Sequence, residues 1–86
     1  MKIPIIKQFV NFAELNGEDY LAKTSATLEN LIELDRLHEN EVDVLGELLS
    51  NLSAATDVMK QMKQGVSKTD AINGFMKRVV GSVDKS

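Results

Sequence analysis

The sequence predicts an all-α fold: a small bundle of three to four helices with a long central third helix. Apolar residues recur at helical spacing in every segment, and no stretch alternates with a period of two. Punctuation is sparse, with one Pro and five Gly in 86 residues, so little breaks the chain between its turns. At 9.5 kDa the chain is read as one domain over residues 1–86, because domains rarely split below roughly 100 residues.

The first helix is expected over about residues 3–15. Pro4 suits a first turn, where its missing N–H removes no hydrogen bond. Ile5, Ile6, Phe9, Phe12 and Ala13 share a face, with Lys7, Asn11 and Glu14 opposite. Asn16-Gly17 reads as the cap, since glycine tolerates positive φ.

The second helix is expected over about 18–37. Glu18 and Asp19 complement the positive end of its dipole. Tyr20, Leu21, Thr24, Leu28, Leu31 and Ile32 form its apolar face. Thr24, Ser25 and Thr27 are weak helix formers, so packing must hold it.

The third helix is expected over about 41–64, with Asn40 as N-cap. Leu45, Leu48, Leu52, Ala55, Met59 and Met62 follow the 3-4 spacing of a heptad seam. Val42, Leu49 and Thr56 widen it on one side, Val44 and Val58 on the other. So broad an arc predicts a central helix touching several neighbours. Gln64-Gly65 ends it.

The fourth helix is expected over about 68–80. Ser67 is its N-cap, Asp70 stands at N3, and Val66 with Ala71 occupies the positions of a hydrophobic staple. Ile72, Phe75, Met76, Val79 and Val83 make a narrow stripe. Gly81 is read as the end, and 82–86 as a tail.

Composition excludes whole classes of function. Cysteine is absent, removing disulfides, thiolate metal sites and cysteine nucleophiles. Catalysis by serine would need a base, and His38 is the single histidine. No nucleophile elbow or glycine-rich phosphate loop is present, so the chain is read as a non-enzyme without cofactor. Asp35-x-x-His38 has the spacing of a carboxylate–imidazole pair, but with one histidine at a turn it reads as a solvated acidic loop and not a metal site. The Asn51-Leu52-Ser53 triplet is read as chance inside a helix. No secretory leader or membrane span is read, and with no cysteine the expected compartment is the cytoplasm.

The charge pattern is uneven. Residues 29–47 carry seven acids against Arg36, whereas 60–78 carry Lys60, Lys63, Lys68, Lys77 and Arg78 against Asp70. If the second and third helices form a hairpin, the acids gather at its tip. The bases then lie at the other end, near Glu14, Glu18 and Asp19. The methionines at helical spacing read as core filler.

The strings KIPIIK (2–7), GELLSNL (46–52) and INGFMKRVVGS (72–82) resemble a family of short, uncharacterised all-helical bacterial proteins. That resemblance implies no activity and assigns no site. The function expected from the residues is a protein-interaction or self-assembling structural module. Its interface would use Val44, Ala54, Val58 and Met62, the edge beyond the seam, most simply in a homodimer. The alternative is a small regulatory domain contacting nucleic acid through the Lys60–Arg78 patch. A net charge of −3 and four aromatic residues argue against it. No membrane partner or small-molecule substrate is indicated.

Overall fold

The computed structural model describes residues 2–84, with side chains as far as Arg78. Four helices run in order: α1 (Ile3–Asn16), α2 (Asp19–Ile32), α3 (Glu39–Lys63) and α4 (Lys68–Asp84), with no strand among the described residues. The longest, α3, is the axis and packs against each of the other three.

Local chemistry sets each boundary. Pro4 sits in the first turn of α1, and Gly17 closes it with a φ of 112° while its N–H donates to the Ala13 carbonyl at 2.8 Å. α3 ends in a Schellman arrangement: Val66 N–H bonds back to Gln61 O at 3.1 Å and Gly65 N–H to Met62 O at 3.0 Å. Gly65 carries the positive φ of 95° that this turn requires. At the start of α4 the Asp70 N–H donates to Ser67 Oγ at 3.2 Å, the expected N-cap.

Three boundaries differ from expectation. α2 stops at Ile32 and not near Leu37, because Asp35 takes a left-handed φ of 53° and turns the chain. Asp tolerates that region better than most side chains, since its short carboxylate satisfies local polar groups. α3 begins at Glu39, one residue after His38 and not after Asn40, and Glu41 accepts the His38 N–H at 2.9 Å. α4 continues through Gly81 to Asp84, so no tail begins at 82. A single glycine costs a helix only ~1 kcal/mol, too little to stop it alone. Residues 85 and 86 of the expected tail lie outside the described residues, as do the side chains of Val79 and Val83 from the expected stripe.

The core lies at one end. Ile6, Val10, Ala13, Leu21, Leu52, Ala54, Ala55, Val58, Ala71 and Ile72 are buried together. Asn51 is the buried polar residue among them, and both ends of its amide are satisfied. Its Oδ1 accepts the Lys2 N–H at 2.9 Å, and its Nδ2 donates to the Glu47 carbonyl at 2.9 Å. That bond fixes the level at which α1 begins to lie along α3. Between Leu21 and Asn51 no residue is buried.

Candidate functional site

The two ends of α3 differ in chemistry as well as in packing. At the core end three cations have partners. Lys63 pairs with Glu18, and Lys68 Nζ lies 2.5 Å from Glu14 and 2.9 Å from Asn11 Oδ1. Arg78 meets Asp57 at 2.7 Å, its guanidinium 5.8 Å from the centre of the Phe75 ring. The hairpin reasoning that set the bases beside Glu14 and Glu18 is borne out by these pairs. Of the five patch residues, Lys60 and Lys77 are exposed and form no ion pair among the described residues.

At the other end acids outnumber cations, with Arg36 the one Lys or Arg between residues 29 and 47. Glu29, Glu33, Asp35, Glu39, Glu41 and Asp43 form no ion pair among the described residues. Glu47 lies at the inner edge of this group. Its carboxyl is held below the usual carboxylate range, first by the chain's amino terminus, against a desolvation penalty, with smaller help from Asn51 and Lys2.

Between these acids lies apolar surface. Leu31, Leu37, Asn40, Glu41, Val44 and Leu45 line an open groove of about 330 Å³ where α2 gives way to α3. Val44 is 60% exposed and Leu34, on the connecting loop, 55%. Large side chains so exposed, flanking an apolar groove, mark a surface that a partner can cover. A second opening, about 290 Å³, separates α1 from α2 and is lined by Phe9, Phe12, Tyr20 and Leu52 among others. There Phe12 and Tyr20 already pack on each other, edge to face, with ring centres 5.5 Å apart.

The expected interface divides. Val44 is exposed as anticipated, and Met62 is half-buried against the core. Ala54 and Val58 are wholly buried in the cluster with Ile6, Val10, Ala71 and Ile72, so they are core and not a free edge. The breadth of the α3 arc, read as surplus surface, is used up within the chain by α1, α2 and α4. Sequence reasoning missed the exposed Leu34 and the groove-lining Leu37, because it ran α2 on to about residue 37 and gave neither a role. It also missed Asn51, whose role depends on a backbone group 49 positions away.

Asp35 and His38 stand on the α2–α3 loop, and no cluster of three or more metal-ligating side chains exists among the described residues. None of the helices is long and apolar enough to cross a membrane, among the described residues.

Neither the curated proteins nor the solved structures contain a match to this chain. A family model matches residues 1–84, described as a family of unknown function, DUF6952. The all-helical build and that match along nearly the whole chain agree with the likeness seen in its sequence strings, and the chain belongs to this uncharacterised family.

Proposed function

We infer that the chain is a non-enzymatic protein-interaction module whose docking surface is the acidic, apolar end where α2 meets α3. One observation supports this above the rest. Residues 22–50 hold ten Leu, Ile and Val side chains, yet none of them is fully buried. Leaving that much apolar surface half-wet forgoes roughly 25 cal/mol for each Å² that a partner would cover. The core end, by contrast, buries Asn51, Leu52, Ala54, Ala55 and Val58 of α3 and pairs Lys63, Lys68 and Arg78, although Phe12, Leu15 and Tyr20 at the α1–α2 turn stay exposed there.

The basic patch supports nucleic-acid contact poorly. Lys63, Lys68 and Arg78 are engaged with carboxylates of the same chain, and a phosphate would have to displace those partners. The absence of cysteine fits action in the reducing cytoplasm.

A photo-reactive residue introduced at position 44, with position 77 as an exposed control, tests the reading in the native host. Irradiation is expected to give a discrete covalent protein adduct from position 44 and none from 77. No adduct from 44, or the same diffuse products from both, contradicts it.

A further inference from the structure

We propose that the groove at the α2–α3 end takes a basic amphipathic helix from another protein, lying along the first turns of α3. The proposal rests on the reading of that end as the docking surface and adds the chemistry of its occupant.

Three features choose the occupant. The first is the line of α1. Asn51 holds the start of α1 against α3, and in the buried half Asn51, Ala55, Val58 and Met62 share one face of α3. At 100° per residue Val44 continues that face toward the start of α3. α1 begins at Ile3, at the level of Asn51, so a second helix placed end to end with it would lie over Val44 as α1 lies over the lower half. The second feature is the shape of the opening, an open groove between two helices and not a closed cavity, which suits an apolar helical stripe laid lengthwise.

Charge is the third, and it separates a foreign helix from a second copy. Glu41 lines the groove, and it and the other five acids between residues 29 and 43 form no ion pair among the described residues. A two-fold dimer through this end would set the acids of one copy against those of the other, a repulsive arrangement. A head-to-tail second copy would bring from the basic patch the exposed Lys60 and Lys77, since Lys63, Lys68 and Arg78 already pair with Glu18, Glu14 and Asp57. A helix carrying Lys or Arg on both flanks of an apolar stripe answers both the groove and its rim.

The test uses the full chain and synthetic peptides of about five helical turns. One has a leucine stripe flanked by lysines, one has the lysines replaced by glutamates, and one keeps the lysines but replaces the leucines with glutamines. Fluorescence anisotropy at physiological salt is expected to give micromolar binding of the first, with the other two at least about tenfold weaker. Val44→Glu decides between docking and plain charge attraction. It adds a negative charge, so a purely electrostatic contact would tighten, whereas a helix seated on Val44 loses at least about fivefold in affinity. Leu37→Ser, on the groove wall, is expected to weaken binding likewise and serves if Val44→Glu alters the fold.

Equal binding of the lysine and glutamate peptides overturns the proposal, and so does undiminished binding by both variants. An adduct from position 44 to a second copy of this chain overturns the foreign helix while leaving the docking surface in place. No adduct at 44 removes the surface itself.

Discussion

Val44 and Val58 are the same residue type on the same helix, fourteen positions and nearly four turns apart, so they point in similar directions. Val58 is fully buried and Val44 is 60% exposed. Propensity and hydrophobicity do not distinguish them. The difference lies in what stands opposite: the Val58 level has α1, α2 and α4 within reach, while the Val44 level has mainly the end of α2. Burial of a valine stabilises by roughly 1.5–3 kcal/mol, a gain Val58 realises and Val44 largely does not. Charge differs too among the described residues, with three ion pairs beside the free Lys60 and Lys77 at the closed end and unpaired acids at the open one. Apolar residues thus carry two meanings along one helix, core where neighbours arrive and contact surface where they do not.

The sharpest way to break this comparison is a pair of identical substitutions. Val58→Glu puts a carboxylate into a fully buried apolar cluster and is expected to cost at least about 4 kcal/mol. That is close to the whole stability of so small a domain, so circular dichroism should show loss of the cooperative helical transition. Val44→Glu is expected to melt within about 0.5 kcal/mol of the parent, as exposed substitutions do. Two variants of equal stability would erase the distinction between the halves.

Truncation of the seam gives a smaller contrast. Leu52→Ala removes a fully buried side chain and is expected to cost about 3 kcal/mol, whereas Leu45→Ala, at a half-open level, should cost about 1 kcal/mol. Urea titration measures both, and comparable losses would mean that the open end is as well packed as the closed one.

The turns provide the finest test. Gly65, at the closed end, needs its positive φ, and a Cβ built there meets nothing within 4 Å, so Gly65→Ala isolates backbone strain and is expected to cost about 1 kcal/mol. Asp35, at the open end, bears a similar conformation without being glycine. Asp35→Gly is therefore expected to be neutral or stabilising by up to about 0.5 kcal/mol, since the relief of strain is set against a more flexible unfolded chain. Thermal melts resolve the two signs.

Much of the architecture was legible in the residues. The 3-4 repeat from Leu45 to Met62 marked α3, and Ser67 with Asp70 and Gln64 with Gly65 marked its junction with α4, because capping chemistry is local. The reading failed where the deciding group lies far along the chain. Periodicity gives the direction of Val58 around its helix but not whether α1 and α4 meet it there, so Val58 and Ala54 were taken for surface. Asp35 carries no glycine or proline signal, so the end of α2 was read five residues late. The candidate site was legible in its charge, since the run of acids from Glu29 to Glu47 stands out, and illegible in its apolar half. Leu37 looks the same in sequence whether it ends a helix against a neighbour or lines a groove left open.

Hydrogen exchange of the amides of α3 tests the division most directly, because these amides belong to one helix and differ chiefly in what covers them. The amides of residues 43–49 are expected to exchange at least about tenfold faster than those of 52–59, reflecting local opening at the uncovered end and near-global opening at the core. Uniform protection from residue 43 to residue 59 would contradict the account, for α3 would then be held as firmly at its open end as within the core.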